Sequence, residues 1–394
     1  MTEAYIPFAP PTIGQKEVDA VVSALRSGWL TTGAVAKQVE SWFIDNTGAE
    51  GAVAVNSATA ALHLALESLG VGPGDAVFTT TMTFCSTAHV IEHVGATPVL
   101  IDVEPNTLNI DTSKLAPAIE DARSSGLHPS VILPVHYAGH PCDLTEIYSL
   151  AATEGLAVIE DAAHALPAFY NDRPIGAPAP LGVINMVAYS FYATKNVTGA
   201  EGGLLVGPEE FISRARQRSL HGMSKDAWQR YEPGASWEYD VIEAGWKYNL
   251  SDLNASLVRA QLEQITEFDR ARRYVADSYL ERLAGVPGVT LPVELPAARS
   301  AWHLFPIRID SDTYGHTRNE LISKLHQAGV GTSVHFKPIH LLSYYRNKYN
   351  LTPNAFPVAS RAFDQLLSLP IYPLLTADHI RRVVDALVSF SKSD

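Results

Sequence analysis

The sequence predicts an α/β fold, a mostly parallel sheet with helices on both faces. Two observations carry that prediction. Short apolar runs alternate regularly with helical stretches from Ala52 to Glu160, the pattern of βαβ units. At 394 residues the chain can also bury a large core, with length for two to three domain-sized units.

In chain order, Pro11-Thr12-Ile13-Gly14 leads into an amphipathic helix, Gln15 to Ser27, with Val18, Val21, Val22 and Leu25 on one face. Gly28 ends it, a residue free to adopt positive φ. A turn, Trp29 to Gly33, precedes a second helix carrying Val35, Val39, Trp42 and Phe43. Strands are then expected at Ala52–Val55, Ala76–Thr80, Pro98–Asp102, Val131–Val135 and Leu156–Glu160. Helices are expected at Ala58–Leu69, Phe84–Val94, Ser113–Arg123 and Leu144–Glu154. A further β-rich run, Val183 to Phe191, opens into Gly199-Ala200-Glu201-Gly202-Gly203. One long helix is expected from the capping pair Ser251-Asp252 toward Gly285, with Leu253, Leu257, Ile265, Phe268, Val275, Tyr279 and Leu283 on its buried stripe. It bridges to a smaller C-terminal α+β domain with strands Leu304–Ile309 and Val330–Phe336 and helices Arg318–Ala328 and His379–Phe390. Residues 15–255 are thus expected to form the large domain, and 256–394 the small one, joined by an N-terminal arm, 1–14.

Hydrophobic residues make up 46% and charged residues 18%, the balance of a globular chain. With a net charge of −13 and no long Lys/Arg run, nucleic acid is not expected as a partner. No basic n-region with an apolar core opens the chain, and no apolar run approaches a membrane span, so a cytoplasmic location is expected. Only Cys85 and Cys142 are present, too few for a disulfide framework or a zinc cluster.

Two motifs mimic other chemistry. His89-Val90-Ile91-Glu92-His93 matches H-x-x-E-H, but it lies on a helix between two strands and lacks a third ligand. Gly70-Val71-Gly72-Pro73-Gly74 follows a helix and precedes a strand, the reverse of a dinucleotide fingerprint. His335 and His340 have no carboxylate or cysteine company, and no metal is expected.

Ligands of parallel sheets sit at the carboxyl ends of the strands. At Ser57-Ala58-Thr59 a helix begins, so outward N–H groups and two hydroxyls make either a phosphate site or a plain N-cap. Asp161 follows a strand and precedes Ala162-Ala163-His164, where it caps a helix or sits under a ring nitrogen. Lys195, in Ser190-Phe191-Tyr192-Ala193-Thr194-Lys195-Asn196, is an ordinary loop lysine or a nucleophile beside Gly-rich backbone. Together, an anion site, a carboxylate and an amine on successive strand ends describe pyridoxal phosphate held as an imine.

Over nearly its whole length the chain resembles the DegT/DnrJ/StrS family of sugar-nucleotide aminotransferases. Matching stretches are Pro11 to Gly14, Ser27 to Gly33, Asn56 to Leu62, Thr83 to Thr87, Glu160 to Ala165, Ser190 to Gly203 and His335-Phe336-Lys337-Pro338. The resemblance implies the aspartate-aminotransferase-like fold (fold type I) and a pyridoxal 5′-phosphate cofactor. It implies transfer of the amino group of L-glutamate to a keto carbon of a nucleotide-linked sugar. His221-Gly222-Met223, Asp226-Ala227-Trp228, Lys247-Tyr248-Asn249-Leu250 and Ala301 to Phe305 look most like enzymes that aminate UDP-4-keto-pentoses, followed by those for 4-keto-hexoses.

By the same resemblance Lys195 holds the cofactor and shuttles the proton, and Asp161 pairs with the pyridine nitrogen. Phe84 stacks on the ring, His164 meets its hydroxyl side, and Ser57, Ala58, Thr59 and Ser190 hold the phosphate. Sites in the family are completed across a homodimer, where Lys247 or Asn249 replaces the usual Asn-Tyr-Arg contact to the partner's phosphate. Gly28, Trp29, Leu30, Thr31, His335, Phe336, Lys337 and Pro338 line the sugar side, with Lys337 or Arg230 offsetting the acidic composition. Relatives that dehydrate carry histidine at the lysine position, so Lys195 favours transamination. An aminotransferase for a free cyclitol ketone and a cofactor-bearing regulator without turnover stay open as alternatives.

Overall fold

The structure, a computed structural model, describes residues 5–224 and 238–392. Helices α1 (Gln15–Ser27) and α2 (Ala34–Thr47) lead into β1 (Gly51–Val55). Gly28 ends α1 at φ 75, and the Asp252 carboxylate caps the start of α2 through the amides of Gly33 (2.8 Å) and Ala36 (3.0 Å). The expected alternation follows: α3 (Ala58–Leu69), β2 (Asp75–Thr80), α4 (Cys85–His93), β3 (Thr97–Ile101), α5 (Leu115–Ser124), β4 (His128–Leu133), α6 (Leu144–Glu154) and β5 (Ala157–Asp161). Next come a short hairpin, β6 (Phe169–Tyr170) and β7 (Arg173–Pro174), then β8 (Asn185–Ser190), β9 (Gly203–Gly207) and α7 (Glu209–Ser219).

The main sheet has the order β1-β9-β8-β5-β4-β2-β3. All its neighbouring pairs are parallel except those of β9, which runs antiparallel to both β8 and β1. Reversed twice, β1 runs with the parallel strands, so the carboxyl ends of β1, β2, β4, β5 and β8 open along one edge. Sequence reading places the Gly199–Gly203 run as open loop and misses β9. Its apolar part is only Leu204-Leu205-Val206, all fully buried, between glycines.

The helix expected from Ser251 to Gly285 is two helices, α8 (Asp252–Leu262) and α9 (Ile265–Arg282). Gln264 leaves the helical conformation at φ −112, and its side chain donates to Glu17 (2.6 Å) and to the Ala260 carbonyl (3.0 Å). No glycine or proline marks the break and the apolar stripe runs through it, so its spacing hides the interruption. The expected strand Val330–Phe336 is not formed. Val330 bridges to Ile6 and Ser333 to Ser368, and the remainder is extended without a ladder. The C-terminal sheet instead pairs Val289–Thr290, Phe305–Ile309 and Leu366–Leu369, all antiparallel. Its core gathers Val275 and Tyr279 from α9, Phe305 and Ile307 from the sheet, and Leu325, Ile380 and Val383 from covering helices. Among the described residues no helix is long and apolar enough to cross a membrane.

Candidate active site

Asp161 is the last residue of β5 and sits beside Ala188 of β8 in register. It is 5% exposed. Its Oδ2 accepts from the Thr87 hydroxyl (2.9 Å) and its Oδ1 from the Ala163 amide (3.1 Å). Because Thr87 spends its proton on the carboxylate, its oxygen is the acceptor for Thr83, 2.8 Å away. Both threonines are buried at the start of α4. Burial pushes the Asp161 carboxyl above its usual range, against the pull of Thr87, Ala163 and Lys195.

Lys195 lies five residues beyond β8, in a turn closed by its amide donating to the Tyr192 carbonyl (2.9 Å). Burial pulls its amine down to about 8, and Asp161 opposes that shift. A half-buried amine of that basicity has a substantial neutral fraction near pH 7, as a nucleophile needs.

The third group is the start of α3. Ser57 caps it, its Oγ accepting from the Ala60 amide (3.1 Å), and the first helical bond runs from Ala61 to the Ser57 carbonyl. The amides of Ala58 and Thr59 therefore precede that bond and are left for a ligand. Gly203 allows the approach beneath: a Cβ there would lie 2.3 Å from the Ser57 carbonyl carbon and 2.5 Å from the Ala58 nitrogen.

These groups share one cavity of about 460 Å³. Of the sequence-predicted residues it brings together Ser57, Ala58, Thr59, Phe84, Asp161, His164, Ser190, Lys195, His335 and Phe336. Phe84 is 58% exposed at the mouth, its ring 6.0 Å from that of Phe336. His164 is buried, 4.4 Å from the His303 ring, and its Nδ1 has no partner. Burial and the nearby Lys195 hold His164 well below its ordinary pKa, and His335 falls to about 4 for the same reasons.

The other predicted residues do not line this cavity. Gly28, Leu30 and Thr31 are exposed and Trp29 is half-buried in the turn before α2. Lys247 is exposed and donates to the Asn249 side-chain Oδ1 (2.5 Å), while the Asn249 Nδ2 donates to the Thr32 hydroxyl (2.6 Å). The Lys247–Asn249 segment runs beside the α3 entry, where Asn56 donates to the Tyr248 carbonyl (2.7 Å). Lys337 is exposed, and Pro338 is buried before a short 3-10 turn. Arg230 and Asp226 to Trp228 lie outside the described residues.

The chain matches the DegT/DnrJ/EryC1/StrS aminotransferase family over residues 11–388. It belongs to that family. It is 41% identical to the spore coat polysaccharide biosynthesis protein SpsC of Bacillus subtilis over 97% of this chain and 96% of SpsC. Among solved structures it is similar to Spr1654 of Streptococcus pneumoniae in its PLP form, at 31% identity and TM-score 0.86 over 98% of both chains. The sugar aminotransferase CalS13 of Micromonospora echinospora is 28% identical with TM-score 0.84, over 98% of this chain and 99% of CalS13. The protein is thus a pyridoxal phosphate-dependent aminotransferase of fold type I. The residues present fit that cofactor: unspent helix amides suit a phosphate, a buried carboxylate suits a ring N–H, and a weakly basic amine suits an aldehyde.

Sequence reasoning gave no role to several residues in or beside this aminotransferase's cavity. Thr83 lines it and falls in the stretch just past a strand end, while Thr87, which holds Asp161, was legible only within the matching stretch Thr83 to Thr87. His303, Tyr192, Thr194, Ser86 and Glu201 also line it. His303 comes from far along the chain, beyond the reach of any local signal. The H-x-x-E-H carboxylate has another use: Glu92 accepts from Tyr344 (2.6 Å), Tyr349 (2.7 Å) and Lys348 (2.5 Å).

Proposed function

We propose that this aminotransferase moves the amino group of L-glutamate to the 4-keto carbon of a nucleotide-linked sugar. The substrate class is a UDP-4-keto-pentose or a UDP- or dTDP-4-keto-6-deoxyhexose. The observation that carries this reading is Lys195 in one cavity with the Asp161 carboxylate and the open amides of α3. The similarity to the sugar aminotransferase CalS13 supports the acceptor class.

Bound there, pyridoxal phosphate supplies an electron-withdrawing ring in conjugation with the carbon that gains or loses the amino group. The chain's own residues do the rest. Lys195 would hold the cofactor through Nζ and, freed when the glutamate amine takes its place, would take the proton from the glutamate α-carbon and later deliver one to C4 of the sugar. Asp161 holds the ring N–H, and Thr87 and the Ala163 amide hold Asp161. The amides of Ala58 and Thr59, with the hydroxyls of Ser57 and Ser190, bind the phosphate. Phe84 would cover a ring face, and His164 would meet the ring hydroxyl.

In a homodimer, the exposed Lys247–Asn249 segment reaches the second cavity, where the partner's Lys247 or the partner's Asn249 completes the phosphate site. Gly28 to Thr31 and His335 to Pro338 then border the nucleotide-sugar side.

The test is the visible spectrum of the purified protein and of Lys195→Ala, followed by single-turnover reactions with glutamate and then with UDP- and dTDP-4-keto sugars or scyllo-inosose. A lysine-dependent absorbance band, discharged by glutamate and restored by a nucleotide keto sugar, is expected. A band that survives Lys195→Ala, or restoration by scyllo-inosose alone, would refute the assignment.

A further inference from the structure

His303 stands out among the cavity residues because its hydrogen bonding settles its tautomer. Asn196, next to the nucleophile, donates its amide to the Ala301 carbonyl (2.8 Å), which turns its Oδ1 toward His303 Nδ1 at 3.1 Å. An amide oxygen only accepts, so Nδ1 carries the proton. Nε2 is then a bare lone pair, and it is the ring nitrogen left free at the cavity the residue lines. Burial, His164 and Lys195 all hold the ring well below its ordinary pKa, so it stays neutral. The backbone is pinned too, since Arg272 donates to the carbonyls of Trp302 (3.4 Å) and His303 (3.5 Å), as well as to that of Ile371 (3.0 Å).

A neutral imidazole nitrogen without its proton accepts a hydrogen bond from a hydroxyl and repels a carboxylate oxygen, lone pair against lone pair. Both substrates of the proposed reaction occupy this cavity in turn. The donor presents carboxylates at neutral pH, and the sugar presents hydroxyls beside its reacting carbon.

We infer that His303 is a specificity-determining residue whose Nε2 accepts a hydrogen bond from a hydroxyl of the keto sugar, with Asn196 as the positioning residue that fixes its tautomer. The inference rests on the sugar-acceptor reading given above.

Two experiments test it. In cofactor-free protein with 15N-labelled histidine, long-range 1H–15N correlations are expected to show His303 as the Nδ1–H tautomer at pH 7.5. Asn196→Ala is expected to abolish that preference; an Nε2–H tautomer in the wild type overturns the inference. In single turnovers, His303→Asn keeps a donor facing Asn196 and loses the Nε2 acceptor. It is expected to weaken the second half-reaction, with a UDP-4-keto-6-deoxyhexose, about tenfold or more through KM, and to affect the glutamate half-reaction several-fold less. His303→Gln, whose amide oxygen reaches near the Nε2 position, is expected to recover part of the loss. Equal losses in both half-reactions, or none, overturn the inference. Failure of the wild type to react with glutamate or with any nucleotide keto sugar would instead strike the reading beneath it.

Discussion

Replacing Thr87 with valine tests the electrostatic design around Asp161. The substitution keeps the branched shape but removes the 2.9 Å hydroxyl donor to a carboxylate that is 5% exposed. It also strands the Thr83 hydroxyl, whose acceptor is Thr87. A neutral hydrogen bond contributes about 1 kcal/mol and one to a charged group about 1.5–3 kcal/mol. In the cofactor-free protein burial shifts the carboxyl toward its protonated form, which weights the bond toward the neutral value. With a cationic ring N–H in place the carboxylate is ionised, and the same bond counts near the charged value. The difference, at most about 2 kcal/mol, predicts a cofactor affinity weaker by up to roughly 30-fold, at 1.4 kcal/mol per tenfold.

The pH dependence follows from the sign of the shift. Asp161 is already raised, and losing a donor raises it further, so ionising it to meet the ring becomes harder at a higher pH than in the wild type. Absorbance titration of cofactor-free protein with pyridoxal phosphate from pH 6 to 9 should therefore show the variant's deficit growing as pH falls. Comparing variant with wild type at each pH cancels the contribution of Lys195. Thr87→Ser should restore affinity. Parallel curves with equal affinity at every pH would refute the reasoning.

The rate of cofactor attachment to Lys195 should rise with pH and level off above about 8, because burial lowers the amine to that value and the unprotonated form reacts; stopped-flow absorbance reads it directly. Gly203→Ala should weaken pyridoxal phosphate binding tenfold or more and pyridoxal binding far less, since the added Cβ meets backbone atoms of Ser57 and Ala58 and displaces the amides meant for the phosphate. Arg272→Leu should cost about 3 kcal/mol in urea unfolding, because it strips donors from the buried carbonyls of Trp302 and Ile371.

Much of the main sheet was legible because its parallel strands are short apolar runs separated by amphipathic helices, and both patterns are local. The strand-end rule then selected Ser57, Asp161 and Lys195 before any coordinates, since parallel strands must present their carboxyl ends together. What escaped had no local period. β9 is three apolar residues among glycines, and the α8–α9 break carries no breaker residue. The Val330–Phe336 segment has strand composition, but Leu366–Leu369 takes the place beside Phe305–Ile309. His303 and Asn196 lie 107 positions apart, and only the tertiary fold makes them a pair. Gly28 to Thr31 and Lys247 were chosen by resemblance and lie on the surface of a single chain, outside the cavity.

Before the cofactor arrives, five of the cavity's titratable groups are pushed toward their uncharged forms by the same cause. Burial lowers Lys195, raises Asp161, and lowers His164, His303 and His335. Such shifts disfavour folding at neutral pH for every group that remains charged, so on stability grounds alone the arrangement is a poor one. A bound ring reverses the balance at Asp161, because a ring N–H beside the carboxylate replaces the solvent that burial removed. It also needs Lys195 without its proton, which is the form burial already favours. On the proposed assignment, the groups that weaken the empty protein are therefore those that bind or react with the cofactor. Electrostatic cost in the fold and chemical readiness at the site share one physical origin.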